Sequence, residues 1–479
     1  MNPKINALLC TSLVLASCAG TDKEKPRPNI VFILADDLGY GDLSSYGQKN
    51  FSTPNIDRLA QQGMLFRQHY TGCTVSAPSR SCLMTGLHTG HTPIRGNKEW
   101  VPEGQWPLAG KSVTVAEMLK TRGYQTGAFG KWGLGYIDTE GDPNSQGFDQ
   151  FFGYNCQKLA HNYYPDHLWH NHEKILLHEN DSAGKGTYSP DVIHGAALDF
   201  LESNRDKPFF LFYPTTIPHA ELFAKEEYMN KFRGKFDPEK IFNGTDSGPS
   251  FRLGPYGSQP EAHAAFAAMI TELDDYVGEI LQKIKDLGLE KNTIVIFASD
   301  NGPHIEGGAD PDYFNSNGDL KGYKRDMYEG GIRTPLIVRW PEKIKPGSVS
   351  GHISAFWDVM PTIAEITGAS TPEGIDGISF LPALLGKESD QKRHEYLYWE
   401  FHEQGGKAAV RMGDWKAVKR DIDKTPQGAT ELYNLTADIG ESTDVASSNP
   451  EIVKRMEEIF KEAHTPSEVF PFSYELVKQ

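Results

Sequence analysis

The chain alternates between continuous apolar runs that end in polar residues and longer amphipathic segments. Apolar runs at 30–35, 209–214 and 293–299 are each followed directly by polar side chains. Uninterrupted apolar runs of this length are typical of strands buried on both faces of a parallel sheet. Amphipathic segments at 54–62 and 262–287 lie between these runs and predict helices. We therefore predict an α/β fold with a large doubly wound mixed sheet flanked by helices.

The pattern changes after about Gly377. Short aromatic segments with alternating polarity, joined by Gly and Asp turns, precede one amphipathic segment near the C-terminus. These features predict a small antiparallel sheet with a closing helix. We place a large domain at 29–377 and a smaller α+β subdomain at 378–479. Two stretches without periodicity, 155–189 and 232–261, are predicted to be functional loops.

The N-terminal residues predict export. A basic start and an apolar stretch precede Leu-Ala-Ser-Cys at 15–18, which resembles the lipobox of bacterial lipoprotein signal peptides. We predict a signal peptide at 1–17, lipidation of Cys18 and a polar tether at 18–28. This places the protein in the periplasm or at the cell surface, anchored to a membrane by lipid. A plain secretory signal cut near Ala19 is the alternative.

The net charge and the number of cysteines argue against a nucleic-acid-binding protein and against a disulfide-stabilised one. The formal net charge of −16 argues against nucleic acid as a partner. It does not exclude an anionic substrate, because charges beyond a Debye length of about 8 Å are largely screened and local cations decide binding. Outside the predicted signal peptide and Cys18, three cysteines remain: Cys73, Cys82 and Cys156. This odd number does not predict a disulfide framework.

Two pairs of oxygen-bearing side chains follow two of the predicted strands. Asp36 and Asp37 end the first strand, and Asp300 and Asn301 end a later one. Ligands of open α/β sheets gather at the carboxyl ends of strands. Hard oxygen donors suit Ca²⁺ or Mg²⁺ better than zinc, so the two pairs predict a divalent metal site. Taken singly, each residue is also a common cap or turn residue.

The stretch from Ser76 to Arg80 reads Ser-Ala-Pro-Ser-Arg, and no histidine lies close enough in sequence to activate the serine. It matches the Ser/Cys-x-Pro-Ser-Arg signature of the type I sulfatases. Further blocks resemble that family in the family's order: NIVFILADDLGYGDL at 29–43, TPNIDRLAQQGMLF at 53–66, GKWGLG at 130–135, FASDNG at 297–302 and YEGGIRTP at 328–335. Nearly the whole mature chain thus resembles a serine-type bacterial carbohydrate sulfatase of the alkaline phosphatase superfamily, with residues 29–377 as the catalytic domain.

The resemblance implies that Ser76 is converted to Cα-formylglycine and does not act as a serine. One hydroxyl of the hydrated aldehyde would attack sulfur and expel the alcohol. The other hydroxyl would then lose its proton, so that the aldehyde reforms and sulfate leaves. The family also implies a calcium ion, with magnesium left open by the donor types, and a radical-SAM maturase as partner.

The resemblance also assigns roles residue by residue. The metal ligands are Asp36, Asp37, Asp300, Asn301 and the modified Ser76. Arg80 holds the formylglycine hydroxyl, while Lys131, His219 and Lys324 bind sulfate or protonate the leaving oxygen. We predict Arg95, His161 and His304 as substrate-binding residues.

One position departs from the family pattern. Many members have Gly-Lys-Trp-His-Leu-Gly, whereas this chain has Gly133 in place of the histidine. That departure puts sulfate release in doubt, and either His161 or water is the candidate replacement. The block that follows GFDQFFGYN at 147–155 resembles that of sulfatases acting on galactose or N-acetylgalactosamine sulfates. The alternatives are a phosphoester hydrolase of the same superfamily and a non-catalytic glycan-binding lipoprotein with unmodified Ser76.

Overall fold

The structure is a computed structural model that describes residues 27–181, 184–426 and 428–476. The predicted signal peptide and Cys18 lie outside the described residues. Across the described ranges, none of the helices has the length and apolar character that a membrane crossing requires.

The strands are β1 Asn29–Ala35, β2 Met64–Phe66, β3 His69–Tyr70, β4 Gln125–Lys131, β5 Gln150–Tyr154, β6 His167–His170, β7 Glu173–Leu176, β8 Phe209–Pro214, β9 Thr293–Ser299, β10 Leu336–Arg339, β11 Ser348–Ser350, β12 Ser354–Ala355, β13 Leu397–Phe401, β14 Lys407–Met412, β15 Trp415–Lys419 and β16 Glu431–Asn434. The helices are α1 Pro54–Gln61, α2 Ser76–Thr85, α3 Val115–Lys120, α4 Ser189–Ser203, α5 Glu226–Met229, α6 Ala262–Asp286, α7 Pro311–Phe314, α8 Glu329–Ile332, α9 Val359–Thr367, α10 Leu381–Leu384, α11 Pro450–Glu462 and α12 Ser473–Leu476.

One large mixed sheet forms the centre of the molecule. Its 10 strands follow the order β11-β2-β10-β9-β1-β8-β4-β5-β6-β7. The central strands β9, β1, β8, β4 and β5 run parallel, whereas β10 pairs antiparallel with β9 and β6 pairs antiparallel with β5. The predicted α/β fold with a large mixed sheet is confirmed.

Both faces of this sheet are buried. Along β1, Val31 and Ile33 pack into a core with α1, α4 and α6, while Phe32 and Leu34 pack into a second core with α3 and α9. This alternation explains why β1 is apolar at every position, since each face of a doubly wound sheet is covered by helices. The helices on both faces therefore hold the carboxyl ends of the central strands in fixed positions.

The predicted C-terminal antiparallel sheet is also confirmed, with strands in the order β13-β14-β15-β16. One face packs with α11 through Met456 and Ile459. The other face packs Trp399 against the segment that leads into α2, including Cys73 and Val75. The boundary proposed at residue 377 stays a prediction.

Two local features differ from the sequence prediction. The stretch 155–189, expected to be irregular, contains the short antiparallel pair β6 and β7 at the sheet edge. Strand β7 alternates weakly and is mostly exposed, so it lacks the buried face that makes a strand visible in a sequence. Helix α2 was not predicted, because every residue from Ser76 to Thr85 is buried and no amphipathic period appears.

Candidate active site

Two neighbouring strands bring the predicted oxygen donors together. β1 and β9 are parallel, and Ala35 lies opposite Ser299, so the residues that follow them emerge side by side. The backbone N–H of Asp37 donates to Asp300 Oδ1 at 3.1 Å, and Asn301 Nδ2 donates to Asp37 Oδ1 at 2.7 Å. Asp37 adopts a left-handed φ of 66°, a backbone strain that often marks a functional site when the residue is not glycine.

Ser76 is the first residue of α2, and its hydroxyl lies against this rim. Ser76 Oγ donates to Asp36 Oδ1 at 3.0 Å, and Lys131 Nζ donates to Ser76 Oγ at 3.3 Å. Lys131 is the last residue of β4 and also forms an ion pair with Asp36. The N-terminus of a helix carries partial positive charge, so α2 and Lys131 together favour an anion at Ser76.

Arg80 lies one turn after Ser76 on the same face of α2. Its Nε and one terminal nitrogen donate to Asp300 Oδ2 at 3.1 and 2.9 Å, and the latter nitrogen lies 3.5 Å from Asp36 Oδ1. The other terminal nitrogen donates to the carbonyl of Lys131. One buried guanidinium therefore fixes the ends of β1, β9 and β4 relative to α2.

A second cation lies on the opposite side of the rim. Lys324 Nζ donates to Asp37 Oδ2 at 2.8 Å and to Glu306 Oε2 at 3.0 Å, and it lies 3.1 Å from His219 Nε2. Burial alone would lower the pKa of Lys324, but Asp37 and Glu306 outweigh it and hold that pKa above its ordinary value. Burial, followed by Lys324, holds the pKa of His219 well below its ordinary value, so its imidazole is neutral.

Three imidazole rings form a stack at this side. The His219 ring lies between those of His161 and His304, with centroid distances of 5.0 and 5.6 Å. His161 Nδ1 donates to the carbonyl of Gly254 at 2.8 Å, which leaves Nε2 as an acceptor. Burial lowers the pKa of His161 to about 4. His304 bonds the carbonyl of Pro218 at 3.2 Å and supports His219 from behind.

A cavity of about 350 Å³ opens at Ser76. Its size lies within the range of small-molecule sites in proteins. The lining residues are Ser76, Asn97, Glu99, Gln105, Gln157, Lys158, His161, His219, Gly254, Pro255, Tyr256, Lys324 and Arg325. The wall is thus rich in amides and rings, with cations at its base.

Of the predicted substrate-binding residues, His161 lines this cavity, whereas His304 lies behind its wall and Arg95 lies elsewhere. Arg95 is buried, and its guanidinium donates to Glu400 Oε1 at 2.7 Å and to Thr465. Glu400 is fully buried and needs a counter-charge, which Arg95 supplies. The structure therefore does not bring Arg95 to the cavity.

Sequence reasoning missed several residues of the site. Asn97 and Gln105 come from a segment without periodicity, and Gln157 and Tyr256 come from the two stretches predicted only as functional loops. Glu306 follows the same strand as Asp300 and Asn301, so a search past the strand end for a partner of Lys324 could have found it.

The rim fits a hard divalent cation. Asn301 Oδ1 is buried and accepts no hydrogen bond from any described residue, so this oxygen is left for another partner, whereas Asp36 Oδ2 pairs with Lys131 Nζ. Oxygens of Asp36 and Asp37 also lie within 4.8 Å of each other. Three carboxylates and one amide oxygen are the donor set that calcium and magnesium prefer.

A doubly wound sheet with a carboxylate rim, buried cations and a hydroxyl at a helix N-terminus defines a hydrolase of anionic esters. The sulfatase family model matches residues 28–369, and a model for the C-terminal part of N-sulphoglucosamine sulphohydrolase matches residues 321–465. The chain belongs to the sulfatase family. The prediction of a type I sulfatase, an enzyme that hydrolyses sulfuric esters, is confirmed.

Similar proteins include human arylsulfatase A, which is 32% identical and matches over 94% of this chain and 90% of its own. N-acetylgalactosamine-6-O-sulfatase of Bacteroides thetaiotaomicron is 31% identical, with 92% and 93% covered. Among solved structures, the crystal structure of Ps i-CgsB is 28% identical with a TM-score of 0.75, covering 91% of this chain and 93% of that one.

The placement of Arg95 yields a prediction. Arg95→Met should lower the free energy of unfolding by about 1.5–3 kcal/mol, because Glu400 loses its guanidinium partner but keeps its bonds to Tyr398, His402 and His464. The KM for a sulfated substrate should not change. Thermal unfolding and steady-state kinetics measure the two effects.

The matched control is Arg205→Ala, which breaks an exposed pair with Glu202 and should cost less than about 1 kcal/mol. A raised KM with unchanged stability would instead return Arg95 to substrate binding.

Proposed function

We propose that this sulfatase removes sulfate esters from sulfated carbohydrates, with formylglycine at residue 76 as the nucleophile and a calcium ion at the rim. The observation that carries the proposal is the position of Ser76. Its Oγ lies between Asp36 and the ammonium of Lys131, at the N-terminus of α2 and at the base of the cavity.

The residues around Ser76 suit each stage of such a reaction. The metal, when bound by Asp36, Asp37, Asp300 and Asn301, supplies positive charge that favours a deprotonated oxygen at residue 76. That oxygen attacks sulfur in line, and the bond from sulfur to the sugar oxygen breaks. Release then needs no water attack on sulfur: the second hydroxyl of residue 76 gives its proton to His161 Nε2 or to water, the bond from that carbon to the sulfate oxygen breaks, the aldehyde reforms and sulfate departs.

Lys131, Lys324 and His219 stabilise or neutralise the negative charge that develops in the transition state. Lys131 and Lys324 lie where they can contact sulfate oxygens, and stabilising charge that develops in the transition state is usually the largest catalytic contribution. His219 lies 3.1 Å from Lys324 Nζ, so this pair can deliver a proton to the leaving sugar oxygen. Arg80 orients residue 76 through Asp36 and Asp300.

The carbohydrate assignment is supported by the cavity wall. Side-chain amides of Asn97, Gln105 and Gln157 both donate and accept hydrogen bonds, which suits sugar hydroxyls. The rings of His161 and Tyr256 offer flat faces to a sugar. The Bacteroides thetaiotaomicron relative acts on N-acetylgalactosamine 6-sulfate by its name. We extend this to galactose or N-acetylgalactosamine sulfates as the substrate class.

The remaining parts of the proposal concern cell biology. We propose that the chain is exported, lipidated at Cys18 and held in the periplasm or at the cell surface. We also propose that a radical-SAM maturase oxidises Ser76, since the signature carries serine and not cysteine.

Mass spectrometry tests the nucleophile. The peptide that contains residue 76, from protein purified from its native host, should be lighter than its encoded mass by two hydrogens and should react with a carbonyl reagent. Ser76→Ala should show neither effect and no turnover. Full retention of the serine mass in active enzyme would exclude formylglycine.

Substitutions at the rim test the metal site. Asp37→Asn should weaken calcium binding at least about 10-fold, because even residues that only orient metal ligands have effects of this size. Calcium content after dialysis and calcium titration of the unfolding midpoint measure the change.

The control is Asp42→Asn, because Asp42 is equally buried near the rim, and burial raises its pKa to about 7. Its carboxylate bonds the backbone of Gly39 and is outside the donor set. Equal calcium retention by the two variants would contradict the proposed ligands.

A panel of sulfated sugars tests the substrate class. The kcat/KM should be at least about 10-fold higher for N-acetylgalactosamine or galactose sulfates than for glucosamine 6-sulfate, because an epimer leaves hydrogen-bonding groups of the wall unpaired. Release of sulfate and of the free sugar measures turnover. Preference for the glucosamine sulfate would overturn the galactose assignment, and hydrolysis of phosphate esters alone would overturn the sulfated-sugar proposal.

A further inference from the structure

We propose that the side-chain amide of Gln157 is a sulfate-binding group of this site. It occupies the space next to residue 133, which is a glycine and has no side chain. This inference rests on the proposed sulfate ester chemistry at Ser76. It concerns a residue that the motifs of the sequence did not single out.

Gln157 fills the space that a side chain at residue 133 would need. Gly133 has a left-handed φ of 74°, and a Cβ placed on it would lie 2.4 Å from Gln157 Nε2. Gly133 follows Lys131 by two residues, and Lys131 contacts both Ser76 and Asp36. The amide thus lies beside the segment that carries a cation to the nucleophile.

The amide nitrogen has no partner of its own. Gln157 is 9% exposed, and its Nε2 is buried without a hydrogen bond to any residue that the structure describes. Burying an amide N–H without a partner is unfavourable, and such groups in native proteins call for a ligand or another explanation. Because the terminal torsion of glutamine is broad and two-fold, the amide can turn toward an anion without breaking a hydrogen bond.

The backbone of Gln157 is held in register with the nucleophile. Its N–H donates to Gln105 Oε1 at 2.9 Å, and Gln105 Nε2 donates to the carbonyl of Asn97 at 3.3 Å. Asn97 Oδ1 accepts from the N–H of Ala77 at 3.1 Å, next to Ser76. Asn97, Gln105 and Gln157 all line the cavity with Ser76. This chain of amides fixes the backbone of Gln157 relative to the first turn of the helix that carries Ser76.

The chemistry of an amide suits this position. An amide donates N–H to a sulfate oxygen and carries no charge, so it adds a contact without adding to the cations Lys131 and Lys324. It does not titrate, so its contribution is the same at every working pH. It cannot take a proton from the hydrated aldehyde, and its role is to hold the anion.

Two substitutions separate contact from space filling. Gln157→Ala should reduce kcat/KM for a sulfated substrate at least about 10-fold through the lost hydrogen bond. Gln157→Glu keeps the size of the side chain but places negative charge beside the sulfate, so kcat/KM should fall below that of Gln157→Ala. Wild-type kcat/KM in Gln157→Glu would show that the side chain only fills space and would overturn the proposal.

A measurement of sulfate binding tests the role of Gln157 without requiring turnover. In a Ser76→Ala background, calorimetry with inorganic sulfate should show at least about 10-fold weaker binding when Gln157→Ala is added. If no sulfated sugar is hydrolysed but this loss of sulfate binding occurs, the proposed function fails and the role of Gln157 stands. If turnover occurs and Gln157→Ala changes neither kcat/KM nor sulfate affinity, the role of Gln157 is overturned alone.

The matched control is Gln391→Ala. Gln391 is 8% exposed, and its amide donates to the carbonyls of Ser379 and Lys392 away from the cavity. This variant should lose stability and keep the wild-type kcat/KM and sulfate affinity. Unfolding midpoints of all variants show that each protein is folded at the assay temperature.

Discussion

The mutual repulsion of three buried carboxylates is the constraint on which this structure depends. Asp36, Asp37 and Asp300 have no exposure to solvent and meet at adjoining strand ends. Removing a carboxylate from water costs several kcal/mol unless cations and hydrogen bonds compensate for it. Compensation comes from three segments far apart in sequence, which supply Arg80, Lys131 and Lys324. In the proposed mechanism Lys131 and Lys324 also contact the anionic substrate, so the charges that stabilise the rim would be the ones that bind the sulfate group.

The C-terminal sheet contributes to this arrangement from a distance. Trp399 Nε1 donates to the carbonyl of Thr71 at 2.9 Å, shortly before the helix that starts at Ser76. Lys407 Nζ donates to the carbonyl of Arg325 at 2.7 Å, next to the lysine that contacts the rim. The subdomain thus packs against both segments that deliver side chains to the rim. Neither Trp399 nor Lys407 lines the cavity, so these two contacts act by positioning the segments that do.

Site residues could be predicted where they lie next to a recognisable strand or motif in the sequence. The meeting of Asp36 and Asp37 with Asp300 and Asn301 was predictable because each pair directly follows an apolar strand, and parallel strands place such pairs at one edge. Ser76 and its helpers were assigned through motif resemblance. Arg95 was misplaced because its partner Glu400 lies 305 residues away. Gln157 and Glu306 were missed because they lie in loops, where the sequence shows no periodicity. Their positions become apparent only from the structure, in which Gln157 packs against Gly133 and Glu306 accepts a hydrogen bond from Lys324.

Close packing of the strands limits which residues at the end of β4 can carry a side chain. A Cβ placed on Gly130 would lie 1.9 Å from the carbonyl oxygen of Pro214, so β4 and β8 approach each other at the rim more closely than any side chain would allow. Lys131 is therefore the side chain at this end of β4 that reaches Ser76. A polar group beside it must come from a neighbouring segment, and the residues after β5 pass at the right distance, since the N–H of Gly133 donates to the carbonyl of Asn155 at 3.0 Å. The polar group beside Lys131 is therefore determined by the packing of a neighbouring segment and not by the motif that contains Lys131.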